Sequence, residues 1–192
     1  MENNIKEESG LKFQFPKKDT VIKFDDTKFY RDYFNKLPEA KGVDFISVDK
    51  DKIAFIEVKN CIGDEGNCRW RIAPNNQKRN TTHTSVNVEG RDSLDIEVAQ
   101  KTAMTVAALV GAKSFGNTKE CVSELREYIQ FLAKDTFSDD SKKKYVILFL
   151  EGDFGGKTRS KKMIMKSLQD SMNKKLQWIN CRVSVVDRKS VV

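Results

Sequence analysis

The densest apolar stretch is KGVDFISVDKDKIAFIEVKN, residues 41–60. Residues 43–48 and 53–58 are rich in β-branched and aromatic side chains, and the charged turn Asp49-Lys50-Asp51 separates them. That pattern predicts a β-hairpin. Neither run alternates cleanly. Apolar positions fall on both faces, as in central strands covered on both sides. Further on, residues 93–111 show apolar positions at helical spacing, with Ser93 placed to cap the helix and Gly111 to end it. This helix is apolar almost all round after Lys101 and should pack against the sheet. Residues 119–134 are amphipathic, with Val122, Leu125, Ile129 and Leu132 as the buried stripe. YVILFL, residues 145–150, predicts a buried strand. Residues 160–178 predict an amphipathic helix with Met165, Leu168, Met172 and Leu176 inward, where methionine serves as core packing. Arg182–Val186 is the last strand.

The N-terminal part is less regular. Residues 1–10 are polar and expected to fray. Residues 11–15 alternate and read as an edge strand stopped by Pro16, and residues 21–24 as a second short strand. Asp25 or Asp26 could cap a helix over 27–37 that Pro38 ends. The closing strand, helix, strand succession predicts a right-handed crossover between parallel strands. The expected fold class is α/β (α+β): one domain, residues 1–192, with a mixed β-sheet flanked by helices and a basic loop inserted at 61–92.

Composition narrows the function classes. The chain has 192 residues, 39% hydrophobic and 33% charged, enough for one domain with a proper core. No apolar run approaches membrane-spanning length, and MENNIKEESG lacks a signal-peptide core, so the expectation is a cytoplasmic protein with no membrane partner. The four cysteines, 61, 68, 121 and 181, show no CxxC spacing and His83 is the single histidine, which predicts reduced thiols rather than metal ligands. The net charge of +7 favours polyanionic partners.

Three charges interrupt the apolar hairpin: Asp44, Glu57 and Lys59. A turn centred on Lys50 pairs position 44 with about 56, which puts Asp44 beside Glu57. Glu57 and Lys59 are two apart and project from the same face. Neighbouring carboxylates repel, and a hard divalent cation relieves that repulsion. Such an ion makes water a better nucleophile, which a nearby lysine can hold or deprotonate. Acid-x-Lys triplets also begin at Asp26, Glu39, Asp140 and Asp187, but only Glu57 ends an apolar strand preceded by an acid-bearing partner strand. The competing reading is a solvated hairpin end with a Lys–Glu pair worth only about 0.2–1 kcal/mol.

Gly42-Val43-Asp44 followed by Glu57-Val58-Lys59 resembles the active site of the PD-(D/E)XK nuclease superfamily. The resemblance implies a restriction-endonuclease-like core and a DNA endonuclease activity. It implies Mg2+ (or Mn2+) held by Asp44, Glu57 and the Val58 carbonyl, with Lys59 positioning the attacking water. It also brings Gln100 and Lys101 forward as secondary site residues, because such nucleases often carry Gln or Lys on the helix after the triplet strand. Members often pair to cut two strands, which raises a homodimer as an expectation. This chain departs from the family order in placing a helix directly before the Asp44 strand. Asp32 and Glu39 are the nearby acids for the family's first-helix position, and neither is assigned.

The 61–92 stretch lacks periodicity and reads as a loop, with a strand excursion at 84–88. Between Cys68 and Val88 it holds Arg69, Trp70, Arg71, Lys78 and Arg79 and no acid. That mix suits phosphate contacts with stacking on a base, against the plainer reading of a solvated basic loop. His83 is a weak acid–base candidate. EGDFGGKT, 151–158, is placed like a phosphate-binding P-loop, but Glu151 stands where the first glycine belongs. A tight αβ turn with Lys157, Arg159, Lys161 and Lys162 near a helix start is the simpler identity. Three classes stay open: a metal-dependent nuclease, a catalytically inactive nucleic-acid-binding or assembly module on the same fold, and a nucleotide-binding protein using the 155–158 turn.

Overall fold

The computed structural model describes residues 4–77, 91–116, 119–134, 143–156 and 158–190. In chain order they form β1 (Ile5–Glu8), β2 (Leu11–Gln14), β3 (Thr20–Lys23), α1 (Lys28–Asp32), β4 (Phe45–Val48), β5 (Ile53–Asn60), α2 (Glu65–Arg71), α3 (Leu94–Lys113), α4 (Arg126–Leu132), β6 (Lys144–Glu151), α5 (Lys161–Leu176) and β7 (Arg182–Val186). Strands β3-β4-β5-β6-β7 make one five-stranded sheet in that order. The first three are antiparallel, and β5, β6 and β7 run parallel. The architecture is a mixed sheet flanked by helices, as the periodicities require. The parallel β6–β7 pair is spanned by α5.

Both faces of the central strands are covered, by different partners. Ile46, Val48, Ile53, Phe55, Val146, Leu148 and Leu150 face the helices and join Leu94, Val98, Leu109 and Leu168 in the main core. Phe45, Ile56 and Val58 face the other way, onto the β1–β2 hairpin through Leu11, Phe13 and Phe15. There Phe13 meets Phe149 edge-on at 5.0 Å and Phe15 meets Phe45 at 5.6 Å. This double burial explains why neither strand of the central hairpin alternates.

Several elements differ from expectation. Residues 5–8 do not fray but pair with β2, because Ser9 (φ 51°) and Gly10 (φ 74°) supply the two left-handed residues of a tight hairpin loop. Thr27, not Asp25 or Asp26, caps α1: its hydroxyl accepts from the Tyr30 N–H at 3.2 Å. The helix stops at Asp32 and passes into a 3-10 turn over Phe34–Lys36. Gly111 does not end α3, which continues to Lys113; the left-handed residue is Gly116 (φ 76°). Val110 is exposed, so the second half of α3 is not buried all round. The 119–134 segment is split into a 3-10 helix (Glu120–Leu125) and α4. Within the expected loop 61–92, residues Glu65–Arg71 form helix α2. Its fold-back brings Cys61 and Cys68 to a Cα–Cα distance of 6.3 Å, where they form a disulfide rather than the expected free thiols. Cys121 and Cys181 are free and half-buried. Among the described residues, no helix is long and apolar enough to cross a membrane.

Candidate active site

The hairpin turn sets the site. Lys50 and Asp51 form a two-residue loop, closed by the Asp49 N–H donating to the Lys52 carbonyl at 3.0 Å. The turn is therefore centred between 50 and 51, not on Lys50, and Phe45 pairs with Ile56. Continuing that register puts Asp44 directly opposite Glu57, one residue from the sequence-based pairing of 44 with 56. Directly opposed residues share a face, and here it is the helix-covered face, in the same row as Ile53 and Phe55. Asp44 lies just before β4, where its carbonyl accepts from the Phe24 N–H at 3.1 Å. Its carboxylate Oδ2 accepts from the Val58 N–H at 2.7 Å.

Helix α3 is pinned against this end of the hairpin. The fully buried Thr105 hydroxyl donates to the Lys101 carbonyl at 2.8 Å and accepts from the Val43 N–H at 3.1 Å. This locks the helix turn bearing Lys101 to the segment bearing Asp44. Lys101 Nζ then lies 2.7 Å from Glu57 Oε1 and 3.5 Å from Asp44 Oδ1. Lys59 Nζ lies 2.7 Å from the same Glu57 oxygen and 3.1 Å from Glu97 Oε1. Arg71, from α2, pairs with Glu97 Oε2. Asp44, Glu57 and Glu97 thus alternate with Lys59, Lys101 and Arg71 in one partly buried chain of ion pairs.

Burial acts differently on its members. It raises the Glu57 carboxyl above its ordinary value, against the lowering pull of Lys59 and Lys101. Burial likewise raises Asp44, opposed by Lys101 and the Val58 N–H. Glu97 is partly buried too, but the Lys59, Arg71 and Lys101 charges prevail over desolvation and hold its carboxyl at about 2. Burial would lower Lys101, yet Glu57 and Asp44 raise it above the ordinary lysine value. Glu57 is 0% exposed, and its second oxygen, Oε2, has no hydrogen-bond partner.

The donor set suits one kind of metal. Among the described residues, no group of three or more His, Cys, Asp or Glu side chains is placed to hold an ion. Two carboxylates, Asp44 and Glu57, face one cationic centre, with the Val58 main chain against Asp44. Oxygen donors in that number fit Mg2+ or Mn2+, which keep waters and take substrate phosphate oxygens to complete their shell. The unpartnered Glu57 Oε2 is a free acceptor for such an ion.

Of the residues anticipated from sequence, Asp44, Glu57, Lys59 and Lys101 meet. Gln100 does not join them: it is exposed, and its Oε1 accepts from Lys41 Nζ at 3.2 Å. Arg71 is turned inward to Glu97 rather than left free for phosphate. Trp70 is half-buried, with its indole N–H on the Arg91 carbonyl at 3.1 Å. Arg69 is exposed on a separate cleft of about 350 Å³ between α2 and the β6–α5 turn, where Arg159 also lies but Glu65 and Asp153 offset both charges. Lys78, Arg79, His83, residues 84–88 and Lys157 lie outside the described residues. Glu97 and Asp25 had no site role assigned from sequence, and Arg71 was expected on phosphate rather than on a carboxylate. Glu97 and Arg71 form the far half of the ion-pair chain, and only the Glu97/Lys101 i, i+4 spacing hinted at it. Asp25 stands close enough to Asp44 for their charges to interact; partial burial first, then Asp26, Asp44 and Glu8, raise its carboxyl against Lys23. The signal for Asp25 was its place two residues after a strand that pairs with β4.

Fold and site define an α/β protein with a chain of buried acid–base pairs at the end of its central hairpin. The chain belongs to a family of unknown function, DUF6661, whose profile matches residues 27–191 and so takes in every member of the ion-pair chain. Neither curated proteins nor solved structures yield a match.

Proposed function

We propose that this protein hydrolyses phosphodiester bonds in nucleic acid, DNA foremost, with Mg2+ or Mn2+ at the Asp44–Glu57 pair. One observation carries the reading: two carboxylates, Asp44 just before β4 and Glu57 on β5, direct oxygens at a single cationic centre beside Lys59. This agrees with the resemblance of Asp44 and Glu57-Val58-Lys59 to the PD-(D/E)XK pattern. Asp44 and Glu57 would hold the ion, with the Val58 carbonyl adjacent. When bound, the ion supplies Lewis acidity, polarising the phosphate and acidifying water. Lys59 carries the positive charge that orients the attacking water and steadies the charge growing on phosphorus-bound oxygens. Glu97 fixes the Lys59 ammonium in place, and Arg71 fixes Glu97. The net charge of +7 favours the approach of a polyanion.

The test is cleavage of plasmid, linear and single-stranded DNA, and of RNA, in Mg2+, Mn2+ or EDTA. Cleavage should need the divalent ion and fall at least about 100-fold in Asp44→Asn, Glu57→Gln and Lys59→Ala, as for loss of a transition-state contact. Cleavage that survives these substitutions refutes the assignment. A second reading, a binding module without catalysis, is favoured by the balance of three acids against three bases in the cluster, which closes its charge without a metal. That reading predicts salt-sensitive DNA binding, no cleavage and no heat on titrating Mn2+.

A further inference from the structure

On the reading of this cluster as a divalent-cation site, we propose that Lys101 is a built-in counter-cation that occupies the ion's place between Asp44 and Glu57 and, when the ion enters, transfers its ammonium to a phosphate oxygen of the substrate. Lys101 Nζ sits 2.7 Å from Glu57 Oε1 and 3.5 Å from Asp44 Oδ1, so it meets both would-be ligands at once. An ammonium and a divalent ion cannot share two carboxylates, because at such separations their repulsion is strong in a partly desolvated site.

Lys59 is not the group that leaves. It is held from two sides, by Glu57 at 2.7 Å and Glu97 at 3.1 Å, and Glu97 is in turn held by Arg71. The carboxylates that Lys101 pairs with are Asp44 and Glu57, the ligands themselves, so an ion that takes them releases it. Its side chain is 16% exposed on a flexible stem, so the ammonium can swing toward solvent without moving the helix. A released Lys101 ammonium needs a new anionic partner, and a phosphate oxygen of bound nucleic acid is one that an ammonium pairs with strongly. The unpartnered Glu57 Oε2 supplies an acceptor that Lys101 does not satisfy.

The arrangement makes ion and substrate bind cooperatively. Without nucleic acid the ion must displace Lys101 with no new partner for the ammonium; with it, the phosphate provides one. Calorimetric titration of Mn2+ onto the full chain tests this, with and without a phosphorothioate single-stranded oligonucleotide. Lys101→Met should bind Mn2+ about tenfold more tightly than wild type in the absence of DNA, and the oligonucleotide should tighten Mn2+ binding in the wild type but little in the variant. Lys101→Gln repeats the measurement with a polar side chain if the methionine variant does not fold. Equal Mn2+ affinity in wild type and variant, with binding still abolished by Asp44→Asn, overturns the counter-cation role and leaves the metal site standing. An oligonucleotide effect equal in both overturns the transfer to phosphate. No Mn2+ binding in any form removes the metal reading itself, and the proposal with it.

Discussion

Helix α3 delivers Glu97 and Lys101, and one buried carboxylate anchors its start. Asp95 is 0% exposed. It accepts from Ser93 Oγ at 2.5 Å, Ser171 Oγ at 2.8 Å and Lys175 Nζ at 2.8 Å, and from the Asn75 N–H at 3.2 Å. These contacts tie α3 to α5 and to the segment that follows α2. Breaking a buried ion pair from one side costs about 3–5 kcal/mol when the remaining charge stays trapped. The Lys175 side chain is 28% exposed, so after Asp95→Ala its ammonium can turn to water. The expected loss is then at the lower end, about 3 kcal/mol, or about 6–12 °C in Tm for a domain of this size. Lys175→Met leaves the carboxylate with no route to water, and the loss moves to about 4 kcal/mol. In the double variant neither charge is stranded, so its loss should fall short of the summed single losses by more than about 1 kcal/mol. Urea denaturation of the four proteins measures the cycle. Losses that add within about 0.5 kcal/mol, or an Asp95→Ala cost under about 1 kcal/mol, would refute the anchoring role.

A Cβ on Gly42 would meet Phe24 Cδ1 at 2.5 Å and Tyr30 Cε2 at 3.2 Å. Gly42→Ala should therefore cost about 1–3 kcal/mol by overpacking, read as a lowered urea midpoint with an unchanged slope; an unchanged midpoint would show that Phe24 can give way. Asp187 is buried; desolvation would raise its carboxyl, but Lys161 at 2.8 Å and the Ser190 hydroxyl hold it at about 2, below the ordinary 3.8. A depressed carboxylate stabilises fully above the unfolded value and loses that contribution as pH falls through the folded one. Wild type should thus be about 2 kcal/mol more stable than Asp187→Asn above pH 5, with the gap closing between about pH 4 and pH 2. A gap that does not change with pH would show that Asp187 acts without its charge.

Much of this protein was legible in its sequence because the signals were local. Apolar periodicity located β3 to β7, α3 and α5, since each buries a face whose spacing is set by its own backbone repeat. The apolar run containing Glu57 and Lys59 marked the hairpin end as chemically unusual, because charges seldom sit in a doubly covered strand without a partner. What the chain could not show locally was where distant parts meet. The one-residue register depends on whether the turn closes at 49 and 52, and only that closure puts Asp44 opposite Glu57. The α2 helix depends on burying Cys68 and the adjoining Ile72 in the main core, where Cys61 and Cys68 meet across a turn of the chain. Glu97, Arg71 and Lys101 reach Lys59 and Glu57 from two other elements, α2 and α3. Periodicity assigns each helix an inward face, but an ion pair across elements needs their relative position, which the whole core decides.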